Sequence, residues 1–193
     1  MPCPAIQYFV GVDLGRDRDH SAIAVMALRS DHTGLALRLG ALQRVPLGTG
    51  YIEVIQRLLH VVATLGCMAG RIHVVVDSAG PGQVVVELIR EKRLDIRLVA
   101  ALLSGGRETG RSPSGAVTVP RRELMTNLRR LLESRAIRIP RNLAHIRELE
   151  VEIAAVRPEG GQYAHDDLVV AVGLAAWQAV RAYPRLLEVD LAA

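Results

Sequence analysis

Residues Ile72 to Val76 form a short, almost wholly apolar run rich in β-branched side chains, and the run closes on Asp77. Such a run suits a buried parallel strand. The turn Ser78-Ala79-Gly80-Pro81-Gly82 follows, and an apolar helix from Gln83 to Arg90 comes next, so strand, turn and helix succeed one another within twenty residues. Upstream, Tyr8 to Val12 is apolar and ends at Asp13. Ser21 to Leu28 resumes with alternating character, and Leu35 to Val45 continues it, which reads as an antiparallel three-strand meander. The polar turn Gly15 to His20 should project beside Asp13. From Tyr51 to Leu65, Ile52, Ile55, Leu58, Leu59, Val62 and Leu65 recur at helical spacing, with Gly66 as a stop.

Downstream, Ile96 to Leu103 gives another buried strand, and Ser104 to Gly115 is a Gly, Ser and Arg stretch without periodicity. It reads as a mobile loop able to contact substrate. Pro120 suits a first helical turn, and Arg121 to Ser134 carries Leu124, Leu128, Leu131 and Leu132 on one face with arginines around it, a basic amphipathic helix. A short extension from Ile137 to Ile139, an amphipathic stretch from Leu143 to Ala155 and a Gly160-Gly161 turn come next. Asp166 and Asp167 then open an apolar helix, Leu168 to Val180, where their charge sits well at the positive end of the helix dipole.

The 193 residues, half of them hydrophobic, suffice for one core and predict a single domain over 1–193. Cys3 and Cys67 lie far apart with no Cys/His cluster, which points to reduced thiols in a cytoplasmic protein, not to a disulfide framework or zinc site. The start lacks a signal-peptide pattern, and Leu168 to Val180 is too short to span a bilayer. Net charge is +4 and the pI about 9.6. Lys92 is the sole lysine, so the cationic side chains are nearly all arginine, which suits bidentate phosphate contacts. The charge is compatible with nucleic-acid binding, and a GC-rich genome would produce the same arginine preference. Aromatic residues at 3% argue against a binder that stacks single-stranded bases.

The order of elements matches the ribonuclease H fold: an α/β architecture with a mixed sheet of about five or more strands, ordered 3-2-1-4-5, flanked by helices. In that sheet the first and fourth strands are parallel neighbours, so Asp13 and Asp77 end side by side, and the last helix brings Asp166 and Asp167 towards them. Clustered carboxylates repel one another unless cations neutralise them, and hard oxygen donors suit Mg²⁺ or Mn²⁺. Two such ions about 3.5–4 Å apart serve phosphodiester hydrolysis.

Three stretches carry a more specific likeness. Val10-Gly11-Val12-Asp13 with Ser21-Ala22-Ile23, Val74-Val75-Val76-Asp77-Ser78-Ala79-Gly80-Pro81-Gly82, and His165-Asp166-Asp167-Leu168-Val169-Val170-Ala171-Val172 resemble the acidic motifs of the nuclease domain of phage terminase large subunits. Pro120-Arg121-Arg122-Glu123-Leu124-Met125, Ile137-Arg138-Ile139-Pro140 and Leu149 resemble that family's connecting region, and the likeness spans nearly the whole chain. It implies Mg²⁺- or Mn²⁺-dependent endonucleolytic cutting of double-stranded DNA during viral or prophage genome packaging in the bacterial cytoplasm. It assigns metal binding and catalysis to Asp13, Asp77 and one or both of Asp166 and Asp167, with Asp167 favoured as primary ligand and Asp166 as helper. Its implied partners are a terminase ATPase, a small terminase subunit or a portal, with no membrane. No Gly-x-x-x-x-Gly-Lys-Ser/Thr loop occurs, so this chain is expected to carry no ATPase motor.

Blander readings stand beside these. Asp13 or Asp77 alone could cap a turn, and at least one of Asp166 and Asp167 is explained as a helix N-cap. His165 is either a turn residue or a proton shuttle or phosphate contact. Arg107, Arg111, Arg121 and Arg122 are either solvated charges or DNA contacts. Asp17 and Asp19 read as solvated turn residues, and Gly80 and Gly82 as servants of backbone geometry. Among rival functions, a Holliday junction resolvase would share the carboxylates. Gly11-Val12-Asp13-Leu14-Gly15 also resembles the first phosphate motif of sugar-kinase and actin-like ATPases, and a degenerate domain would bind only DNA or a packaging partner.

Overall fold

The computed structural model describes residues 6–15, 18–31, 34–66, 71–156 and 165–188. Cys3, Asp17, Cys67 and the Gly160-Gly161 turn lie outside them.

Three long antiparallel strands open the chain: β1 (Gln7–Asp13), β2 (Ser21–Asp31) and β3 (Gly34–Val45). A register shift between Val25 and Met26 marks a bulge in the β2–β3 ladder. Helix α1 (Tyr51–Thr64) follows, and its end is set by Leu65 at the C-cap and Gly66 at φ +79°. Then come β4 (Ile72–Asp77), α2 (Gly82–Glu91) and β5 (Arg97–Ser104). The later elements are β6 (Gly110–Arg111), β7 (Val117–Pro120), α3 (Arg121–Glu133), β8 (Ile137–Arg138), α4 (Ile146–Ala155) and α5 (Asp167–Ala182), closed by a 3₁₀ turn at Pro184–Leu187.

The strands form one mixed sheet in the order β6-β7-β5-β4-β1-β2-β3-β8. The expected 3-2-1-4-5 arrangement of a ribonuclease-H-like fold is its centre, and short strands extend it at both edges. Three local expectations are corrected. The stretch from Ser104 to Gly115 is not wholly irregular, because Gly110 and Arg111 pair antiparallel with Thr118 and Val117, and Gly115 turns the ribbon at φ +81°. Pro120 ends β7 and stands at the N-cap of α3, not inside its first turn. Helix α4 likewise starts at Ile146, three residues later than its apolar pattern suggests, after His145 in a left-handed conformation.

Alternation along the strands feeds two cores. Phe9, Ala24, Met26 and Val75 face a core shared with α3, α4 and α5. Val10, Val12, Ile23, Val25, Val74 and Val76 face the other, under α1 and α2. Helix α5 is apolar almost all round, and every residue from Asp167 to Ala179 is buried, as expected of a helix enclosed on all sides. It crosses β1 at Gly11, where any Cβ would collide with the carbonyl oxygen of Ala171. That close approach carries the N-terminal end of α5 to the end of β1. No helix among the described residues is long and apolar enough to cross a membrane.

Candidate active site

The parallel register Val12↔Val76 brings the next residues, Asp13 and Asp77, to the same end of the sheet. Each is placed by the buried, sheet-paired strand that precedes it. Beyond Asp77 the chain turns sharply. The Ala79 N–H donates to Asp77 Oδ1 at 3.0 Å, the Ser78 hydroxyl donates to the Ala101 carbonyl at 2.9 Å, and Gly80 takes φ +52°. Gly82 packs so closely that a Cβ would meet the Asp77 carbonyl oxygen. Both glycines therefore serve the turn that aims Asp77.

Asp166 stands at the N-cap of α5, yet its side chain caps no helical N–H. Its Oδ2 instead accepts a hydrogen bond from Arg121 Nη2, an ion pair at the start of α3. Asp167, only 2% exposed, is gripped by Arg44 from the end of β3: Nε donates to Oδ2 at 2.8 Å and Nη2 to Oδ1 at 3.1 Å. Arg44 Nη2 also donates to Glu152 Oε1 of α4, and the other oxygen of Glu152 accepts the Val169 N–H at 2.9 Å. The N-cap account of the Asp166-Asp167 pair thus gives way to side-chain ion pairs.

Four carboxylates act on one another here. Burial first, then Asp77, Asp166 and Asp167, hold the Asp13 proton well above the ordinary carboxylate range, against the opposing pull of Arg121. Burial also raises Asp77, partly offset by the backbone N–H groups of Ala79 and Leu103. Burial raises Asp166 while Arg121 lowers it. Glu152 is pushed up to about 7, by burial first and by Asp167, against the Val169 N–H and Arg44. A cluster in which Asp13, Asp77, Asp166 and Glu152 are all raised is short of positive charge. Its donor set is carboxylate oxygen, the chemistry that suits a hard divalent cation. Among the described residues no three His, Cys, Asp or Glu side chains close on one point as a ready ligand group. Arg44 and Arg121 occupy two of the four carboxylates instead.

Asp13, Asp77, Asp166, Asp167 and Arg121 are thus brought to one place. His165 is exposed and adjoins them, its ring centroid 6.4 Å from that of His20. Arg107, Arg111 and Arg122 are exposed and stand apart from the carboxylates' ion pairs, and Asp19 is a solvated turn residue that still raises Asp166. Sequence reasoning missed Arg44 and Glu152. Glu152 carried a signal, since it falls three residues after Leu149 on the apolar face of its helix. Arg44, at the end of an alternating strand, carried none. A groove of about 520 Å³ lined by Met125, Leu128, Ile153 and Val169 holds none of the four aspartates.

A ribonuclease-H-like sheet with carboxylates at the ends of its first and fourth strands defines a class, and solved structures narrow it. The chain superposes on the large terminase nuclease of thermophilic phage G20c, solved with bound magnesium, with a TM-score of 0.58 at 22% identity, covering 91% of this chain and 83% of that one. It superposes on the P22 large terminase nuclease domain with a TM-score of 0.57 at 14% identity, covering 97% and 88%. For the large terminase nuclease domain of bacteriophage SPP1, solved with bound manganese, the TM-score is 0.50 at 11% identity, covering 90% and 86%. The fold of this chain is that of the large terminase nuclease domains. Neither a protein-family model nor a curated protein sequence matches it.

Proposed function

We propose that this chain is a divalent-metal-dependent endonuclease that cuts double-stranded DNA as the nuclease of a terminase large subunit during viral or prophage genome packaging. The observation that carries the reading is the meeting of Asp13, Asp77, Asp166 and Asp167 at one end of the sheet, in a fold that superposes over at least 90% of this chain on terminase nucleases, two of them solved with magnesium or manganese.

In this reading Asp13 and Asp77 provide the central ligands, rigidly held at adjacent strand ends, and Asp167 and Asp166 complete the set from α5. Two Mg²⁺ or Mn²⁺ ions, when bound, would supply Lewis acidity to an in-line displacement at phosphorus. The remaining work belongs to the protein. Arg121, at the rim and already paired with Asp166, is placed to exchange that partner for a backbone phosphate. His165 stands where it can accept or return a proton beside the scissile bond. Arg107, Arg111 and Arg122 offer phosphate contacts that orient the duplex without reading bases, so cutting is of low sequence preference. An ATPase motor, a small terminase subunit or a portal would deliver the DNA in the host cytoplasm, without a membrane.

The test is cleavage of supercoiled plasmid and linear duplex by the purified protein with Mg²⁺, Mn²⁺ or EDTA, beside Asp77→Asn. Cutting that needs the metal and is lost by at least a hundredfold in the variant is the expected result. Absence of cutting with either metal, by a folded wild-type protein, would overturn the nuclease reading in favour of a domain that only binds DNA.

A further inference from the structure

We infer that Arg44 is a tethered counter-ion that competes with a divalent metal for Asp167, with Glu152 as the group that positions it. The inference rests on the metal reading above and adds residues that the acidic motifs do not contain.

Three features of the geometry lead to it. First, the guanidinium fork spans both oxygens of Asp167, at 2.8 and 3.1 Å, and so takes up lone pairs that a metal ligand must offer. Second, the fork is anchored. Glu152 Oε1 accepts from the same Nη2, and Glu152 is itself pinned by the Val169 N–H at 2.9 Å, two residues after Asp167 on the same helix. Arg44, Glu152 and the first turn of α5 thereby form a closed ring that holds the arginine on this carboxylate. Asp166 has no equivalent: its partner Arg121 is 30% exposed, against 17% for Arg44. Third, Arg44 has somewhere to go. It also lines a hollow of about 500 Å³ between β3, α1 and the residues before α4, beside Gln43, Gln56 and His145. A guanidinium displaced by a divalent ion can withdraw into that space with its charge solvated.

The physical reason for such a device is charge balance. Asp167 and Glu152, at 2% and 6% exposure, would be costly to bury as bare anions. Arg44 pairs with both while the metal is away, its single charge balancing one of the two. Once a divalent ion is present, a unit positive charge about 6 Å from it opposes its binding, by about tenfold in affinity even at the dielectric of bulk water and by more where water is excluded. Arg44 thereby sets the metal concentration at which the fourth carboxylate joins the site.

The experiment measures Mn²⁺ binding to the DNA-free protein by calorimetry, and its Tm with EDTA and with Mn²⁺, for wild type, Arg44→Gln and Asp77→Asn. Arg44→Gln should lower the metal-free Tm, tighten Mn²⁺ binding roughly tenfold and enlarge the rise in Tm that Mn²⁺ produces. Binding by Arg44→Gln that is unchanged or weaker than wild type overturns the inference and makes the arginine a structural support. Binding by wild type that Asp77→Asn abolishes upholds the metal reading whichever way Arg44→Gln falls. Absence of binding by both wild type and Arg44→Gln overturns both. Should Arg44→Gln not fold without metal, Arg44→Lys, which keeps the charge but loses the fork, is read instead. Tighter binding than wild type supports competition for Asp167, and equal or weaker binding overturns it.

Discussion

Arg44 and Asp167 are 123 residues apart in the chain, yet the guanidinium of one meets both carboxylate oxygens of the other, at 2.8 and 3.1 Å. The contact ties the end of β3 to the start of α5. With Arg121 on Asp166, it pairs both acids at the start of α5, while Asp13 is still raised by burial, Asp77, Asp166 and Asp167. The site is therefore held together by cations of its own while its acids remain short of charge.

That shortage sets a pH dependence of stability. Glu152 is raised from 4.5 to about 7, by burial first, and Asp13, Asp77 and Asp166 are raised as well. A carboxyl group raised on folding binds its proton more tightly in the folded state, so folding gains below its unfolded value and loses as pH climbs through its folded value. The Tm in EDTA should fall between about pH 5 and about pH 7, and Glu152→Gln should flatten the fall. Divalent metal should remove most of it by stabilising the ionised acids. Calorimetry across that range checks this, and a Tm in EDTA that rises with pH from 5 to 7 would contradict it.

Gly11 fixes where α5 lies. A methyl group at that position would strike the Ala171 carbonyl and press on the Ala175 N–H, both backbone groups that cannot rotate away. Gly11→Ala should cost about 1–3 kcal/mol or more by forcing the helix off β1. At about 2–4 °C per kcal/mol for a chain of this size, the loss shows as a lowered Tm. Because α5 carries Asp166 and Asp167, metal affinity should fall with it. A variant with unchanged Tm and metal affinity would show that the helix does not depend on this approach.

Much of this could be read from the chain alone, for reasons visible in particular residues. Strands β1 to β5 declare themselves through alternation or continuous β-branched runs, and Asp13 and Asp77 stand where those runs stop. Helix α5 is apolar enough to be recognised as a helix opening at Asp166 and Asp167. The short strands β6, β7 and β8 span two to four residues, too few for any period to emerge. Arg44 is hidden for a different reason. It sits in Leu42-Gln43-Arg44-Val45, where alternation puts it on the face of Leu42 but a cation at a strand end reads as solvated, and only the fold reveals the two acids that enclose it.

Glu123 ties the loop after β5 to the body of the protein. Its Oε1 accepts the indole N–H of Trp177 at 3.1 Å, and its Oε2 accepts the Thr109 hydroxyl at 2.7 Å. Glu123→Ala removes both and leaves the Trp177 donor, in a buried residue, without this acceptor, at a cost of about 1–3 kcal/mol. The loop should then open more often, and limited trypsin digestion should cut after Arg107 faster than in wild type. Equal digestion rates would show that the β6–β7 pairing alone restrains it.

Arg107 and Arg111 are exposed, one in that loop and one on β6, and neither belongs to the ion pairs of the carboxylate cluster. If they contact backbone phosphates, each contributes counterion release, so the double variant Arg107→Ala/Arg111→Ala should bind linear duplex more weakly at low salt. The dependence of log affinity on log salt should become shallower by about 1.8, or about 0.9 for each phosphate no longer neutralised. The effect should be uniform across DNA sequences, because backbone contacts carry no base information. Metal binding without DNA should be unchanged, since both residues lie outside the cluster. Fluorescence anisotropy at several salt concentrations, with Ca²⁺ in place of the supporting metal to prevent cutting, measures both affinity and slope. A weaker affinity with an unchanged slope would trace the loss to altered loop structure, and an unchanged affinity would return both arginines to the solvated surface.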